Sequence, residues 1–112
     1  MAMIVTSADP ARLLAAIRFA INEGKIDTWR YDQDGDFTHT PAQWVNLAWF
    51  KPNIEFGQIT FGIIGNKNIQ MTKVVYGVYH GRFTEMLLSH FDGEFQAAKS
   101  TAQQQVGIDN FT

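Results

Sequence analysis

Residues 10–24 carry the clearest helical pattern in this chain. Leu13, Leu14, Ile17, Ala20 and Ile21 recur at spacings of three and four, which puts them on one face of a helix. Ser7 or Asp9 is placed to cap that helix, Pro10 suits its first turn and Gly24 its exit. The pattern then changes to alternation. Residues 26–32 and 36–40 read as a hairpin around Asp34 and Gly35. A two-residue turn would set Tyr31 opposite Thr38. A three-residue loop with Gly35 left-handed sets Tyr31 opposite Phe37 and Trp29 opposite His39. The second register is preferred, because cross-strand aromatic pairs stabilise a sheet.

Thr40, Pro41 and Gln43 form a helix-start signature: a cap, a proline at the first position and a capping-box glutamine. Trp44, Leu47 and Ala48 follow at helical spacing, whereas Val45, Leu47 and Trp49 fit a strand equally well. The cap favours a short helix over 41–48, ended by Lys51, Pro52 and Asn53, and the strand alternative for 41–50 stays open. Residues 54–64 alternate with Gly57, Ile59, Phe61 and Ile63 on a core face. Residues 71–80 place Val74, Tyr76, Val78 and His80 on one side and Val75, Gly77 and Tyr79 on the other. Both sides are apolar, which predicts a central strand. From Arg82 a helix is expected, with Phe83, Met86, Leu87, His90 and Phe91 as its stripe and Leu88 and Phe95 widening it. Residues 97–105 read as a weaker helical continuation and 107–112 as a frayed end. The order is α-β-β-α-β-β-α: a single α+β domain over 1–112, with a four-stranded antiparallel sheet and helices on one face.

Composition narrows the function classes. The chain has 112 residues, 46% of them hydrophobic and 18% charged, as in a folded domain. The net charge is −2 and the basic residues are scattered, so nucleic acid is not an expected partner. No apolar run approaches the roughly 20 residues of a membrane span, so no membrane association is expected. The absence of cysteine excludes disulfides, thiolate catalysis and Cys-ligated zinc. With no signal-peptide pattern at the start, the cytoplasm is the expected compartment.

Four features of the chain are candidates for chemistry or binding. Asp32, Asp34, Gly35 and Asp36 match the opening of an EF-hand loop, but Phe37 stands where its sharp bend needs Gly and Gln43 where it needs a bidentate Glu. The segment therefore reads as a hairpin turn, with a weak, millimolar calcium site on its three carboxylates as the open alternative. His80, His90 and Asp92 suggest zinc, but a helix starting at Arg82 would separate the two histidines by about 12 Å along its axis. Neither a metal nor another cofactor is expected. His80, Gly81 and Arg82, at an expected strand-to-helix turn, combine an imidazole, a hinge and a guanidinium beside free helix N–H groups, which suits an anion. Tyr79 and His39 are further ligand-binding candidates there. If the protein is an enzyme, His80 is the acid or base and Arg82 the anchor for an anionic substrate. Finally, Trp29, Tyr31, Trp44, Trp49 and Phe50 crowd one part of the chain and are candidates for an interface. No G-x-S-x-G elbow, carboxylate pair or phosphate loop appears. A non-enzymatic binding protein, with a protein partner or a second copy of itself, is favoured over an enzyme.

Overall fold

A computed structural model describes residues 2–105, 108 and 109. Its elements are β1 (Ala2–Thr6), α1 (Pro10–Asn22), β2 (Trp29–Tyr31), β3 (Phe37–His39), β4 (Ala48–Glu55), β5 (Gln58–Gly65), α2 (Lys73–His90) and β6 (Ala97–Ser100). The strands form one sheet in the order β2-β3-β4-β5-β1-β6, and each neighbouring pair is antiparallel. The α+β class and the antiparallel sheet agree with expectation, but among the described residues the sheet has six strands rather than four.

Two elements follow their sequence signals closely. Asp9 caps α1 by accepting from the Arg12 N–H at 3.2 Å, Pro10 opens the helix, and Gly24 takes φ +73 just beyond its end. The β2–β3 hairpin has the three-residue register, with Trp29 opposite His39 and Tyr31 opposite Phe37, and Gly35 is left-handed at φ +83.

Other segments differ from expectation. Residues 73–80 are helical, not a strand. Thr72 sits in extended backbone and its hydroxyl caps α2 by accepting from the Val75 N–H at 3.1 Å. Val75 and Tyr79, read as one strand face, are also four apart, so the same residues satisfy a helical period. The alternating run 54–64 is broken at Phe56 and Gly57, where Gly57 takes φ +75 and β4 turns back into β5. β4 continues through Lys51 and Pro52, which were expected to end an element. β3 pairs with β4 only at Phe37 and Phe50, so Pro52 lies on an open edge, where a strand tolerates proline.

Residues 41–47 are neither helix nor strand. The Trp44 and Val45 N–H groups both bond the Pro41 carbonyl, at 2.8 and 3.0 Å, and Asn46 at φ 62 ends the turn. The expected helix over 97–105 is instead edge strand β6 and a loop, because pairing with β1 supplies the backbone bonds that weak helix propensity does not. β1 itself was not anticipated; its Met3 and Val5 are fully buried.

Both helices cover one face. Phe83 of α2 meets Phe37, Phe50 and Phe61 at 4.8–5.9 Å between ring centroids. The Arg18 guanidinium of α1 lies over Tyr31 and Phe37 at 5.6 and 5.8 Å. Leu13, Ile17, Ile59, Ile63 and Leu87 complete a single apolar core.

The opposite face is crossed by the C-terminal segment. Asp109 is buried; its Oδ1 accepts the Ile63 N–H and its Oδ2 the Gln105 N–H, both at 2.8 Å. These contacts tie down two residues of the expected frayed end, and the rest of 107–112 lies outside the described residues. A Cβ on Gly62 would stand 2.1 Å from the Ile108 carbonyl oxygen. Gly62→Ala is therefore expected to cost about 1–3 kcal/mol of stability and to deprotect the Ile63 amide in hydrogen exchange as Asp109 is displaced. Denaturant titration and exchange of the variant check both effects.

Candidate functional site

The site is built around α2, whose inward face is fixed by packing. Val75, Tyr79, Phe83, Met86 and Leu87 are buried on that face. Tyr79 is fully enclosed, and its hydroxyl donates to the Trp44 carbonyl while lying 3.1 Å from Thr38 Oγ1. It therefore anchors the 41–47 turn and does not face a ligand. His80 is also packed in. Its ring stands edge-on to Phe50 at 5.0 Å, and its Nδ1 donates to the Tyr76 carbonyl at 2.6 Å. Arg82 lies on a different side of the helix and pairs at 3.4 Å with Glu85, both largely exposed.

The expected strand-to-helix turn at His80, Gly81 and Arg82 is thus the middle of a helix. The free N–H groups of a helix start belong to the residues after Thr72 instead. His80 and Arg82 do not converge.

Arg82 converges with other residues. Between α2 and the 41–47 turn lies a cleft of about 350 Å³, lined by Trp29, His39, Trp44, Arg82, Glu85 and His90, among others. His90, expected at a core edge, is exposed at the end of α2. His39 is buried against the Trp29 ring at 4.6 Å, and its Nδ1 donates to the Thr28 carbonyl at 2.7 Å. That bond leaves Nε2 as the basic nitrogen. Burial holds the His39 pKa below the ordinary range, and Arg82 adds to the effect, against the Thr28 bond and Glu85. The arrangement offers a neutral imidazole, a guanidinium and aromatic walls.

The interface candidates separate on burial. Trp29 and Phe50 belong to the core, while Tyr31, Trp44 and Trp49 are half-buried. Tyr31 hydrogen-bonds Asn22 Oδ1 at 2.8 Å, and Trp49 lines a second cleft beside Asp32 and Asp36. The five do not form one exposed aromatic face.

The outward face of α2 is the feature that strand periodicity hides. Val74, Gly77, Val78, Gly81, Glu85 and Leu88 share one stripe opposite the buried residues, and only Glu85 is charged. Val74 is 63% and Leu88 56% exposed. A helix lying on a domain surface ordinarily turns polar residues outward. Cβ atoms built on Gly77 and Gly81 meet nothing within 4 Å among the described residues, so no described neighbour gives a reason for glycine at either position. In a helix interior each glycine costs about 0.8–1 kcal/mol relative to alanine. The repeated small residue, four apart in sequence, was the available signal.

Comparison with known proteins supplies no relative: no family model, curated protein or solved structure matches this chain significantly. Among the described residues, no helix is long and apolar enough to cross a membrane.

The lowered His39 pKa gives a signed prediction. The unfolded chain binds this proton near pH 6.5, more readily than the folded chain. The stability it supplies is present above pH 6.5 and is lost as pH falls through the lowered folded value. Urea denaturation at pH 7 and pH 5 is expected to show a smaller loss of stability for His39→Phe than for the wild type.

Proposed function

We propose that this protein is a non-enzymatic interaction protein whose docking surface is the outward face of α2, with a second copy of the chain as its occupant. One observation carries the reading: two helix-interior glycines, four apart, lie bare on an outward stripe whose other members are Val74, Val78, Leu88 and the single charged residue Glu85. Small residues at that spacing let two helix backbones approach closely, a packing best described in membranes. The stripe is also self-complementary. Val74 and Leu88 are equally distant from Gly81 in sequence, as are Gly77 and Glu85. In an antiparallel pair related by a two-fold axis at Gly81, Val74 of each copy meets Leu88 of the other. Each Glu85 then crosses the bare surface of Gly77, within about one turn of the other copy's Lys73. The stripe is roughly 21 Å long at 1.5 Å per residue. A contact of that size sits at the weak end of specific interfaces.

Gly81→Leu separates the interface from the fold. Replacing glycine with leucine in the helix is expected to raise monomer stability by up to about 1 kcal/mol, because a Cβ at this position meets no described atom within 4 Å. The same change is expected to abolish dimerisation in sedimentation equilibrium. A wild type that stays monomeric at several hundred micromolar would refute the reading.

A second reading is favoured by the cleft beside α2: binding of a small anionic ligand, with Arg82 as its anchor and the neutral His39 as acid or base. The support is that these two residues and His90 line one concavity. Arg82→Ala removes only an exposed ion pair, so it is expected to leave stability within about 0.5 kcal/mol. Under this reading it weakens binding of phosphate or a simple carboxylate, followed by calorimetry. Anion binding that is absent in the wild type, or unchanged in the variant, removes the reading.

A further inference from the structure

The fold draws three aspartates together at the β2–β3 hairpin. Asp32, Asp34 and Asp36 each offer a carboxylate oxygen, and these atoms all lie within 4.8 Å of one another. Asp32 Oδ1 accepts the N–H groups of Asp34 and Asp36, each at 3.0 Å. Acidic turns of this kind are common, and the turn alone carries no argument.

Asp36 carries it. This residue is 91% removed from solvent, at 9% exposure, and its Oδ1 is enclosed without a hydrogen-bond donor among the described residues. A buried carboxylate oxygen with no donor is costly. Burial, then Asp32, pushes the Asp36 pKa up, and Asp34 adds a smaller push. Lys51 and Arg18 oppose these effects electrostatically, but among the described residues neither pairs with Asp36: the Arg18 Nη2 donates to the Gly35 carbonyl at 3.3 Å instead. The protein's described groups therefore leave unmet a need that a cation would meet.

We propose that Asp32, Asp34 and Asp36 bind a hard divalent cation, Ca2+ in preference to Mg2+. The donors are all oxygen, which suits these ions over softer metals. Ca2+ holds its ligands at about 2.3–2.6 Å, so oxygens around it stand up to about 5 Å apart, whereas Mg2+ requires a tighter shell with about 2.1 Å bonds. The cation would partner the Asp36 carboxylate, with water completing its shell. Phe37 and Gln43, at the bend and closing positions, keep this from being an EF-hand. Three carboxylates opposed by Arg18 and Lys51 indicate a weak site, with a Kd on the order of 10⁻⁴ to 10⁻³ M. The site does not depend on either reading of α2.

Trp49 provides a direct readout, because it lines one cleft with Asp32 and Asp36. Metal-stripped full-length protein at pH 7 is examined with Ca2+, Mg2+ and Tb3+. Millimolar Ca2+ is expected to raise Tm by several degrees and equal Mg2+ by less. Tb3+ emission excited through tryptophan is expected to appear and to be competed away by Ca2+. Asp34→Asn, at an exposed position, should remove both responses while leaving Tm in chelator unchanged. Asp36→Asn should remove both and raise Tm in chelator, because the unpartnered charge is gone. The proposal is overturned if Ca2+ changes neither Tm nor Tb3+ emission, or if both responses persist in the two variants.

Discussion

Phe83 meets one aromatic ring from each of four strands: Trp29 of β2, Phe37 of β3, Phe50 of β4 and Phe61 of β5, at centroid distances of 4.8–5.9 Å. This ring fixes the rotation of α2 about its own axis, since turning it away would empty the centre of the core. One turn earlier, Tyr79 packs edge-on against Trp29 at 5.6 Å and carries its hydroxyl to the Trp44 carbonyl, which holds the 41–47 turn over the end of the sheet. Both features beside α2 follow from that rotation. Arg82 is set at the rim of the cleft with His39, and Val74, Gly77, Val78, Gly81 and Leu88 face outward.

A helix with apolar residues on both sides can bury only one of them in its own domain. The inward face of α2 is accounted for by the aromatic core. The outward face carries two glycines that weaken the helix and that no neighbouring atom among the described residues requires. In the proposed reading, close approach of a second copy is what these glycines serve. The acidic hairpin, built on β2 and β3, is a separate feature. There the uncompensated group is one carboxylate oxygen of Asp36, and a cation rather than a helix would compensate it.

Local chemistry was legible where local chemistry decides. Asp9, Pro10 and Gly24 mark α1, and the aromatic pairing of Trp29, Tyr31 and Phe37 fixes the hairpin register. The errors arose where two periods coincide or where tertiary partners decide. Val75 and Tyr79 satisfy both a strand face and a helix face, so the sequence pattern reads as strand at the start of α2 and puts its N-terminus nine residues too late. That shift created the apparent site at His80, Gly81 and Arg82. Phe56 and Gly57 turn the chain inside an alternating run, and Pro41 starts only a single turn because Tyr79 and Thr38 hold the following backbone. β1 and β6 depend on each other and on β5, and their own sequences carry little pattern. The convergence of Asp32, Asp34 and Asp36 was visible as spacing, but the burial of Asp36 was not. The outward stripe was visible as well, as the very lack of amphipathicity that suggested a central strand.

The central claim is that the outward face of α2 is a contact surface between copies, and an amide-resolved dilution series tests it most directly. Nitrogen-labelled protein is followed by two-dimensional NMR from millimolar to low micromolar concentration. The account predicts concentration-dependent shifts confined to Val74, Gly77, Val78, Gly81, Glu85, Leu88 and their immediate neighbours, with the core amides of β4 and β5 unchanged. Spectra that do not change with concentration, or shifts centred on another face, would contradict it.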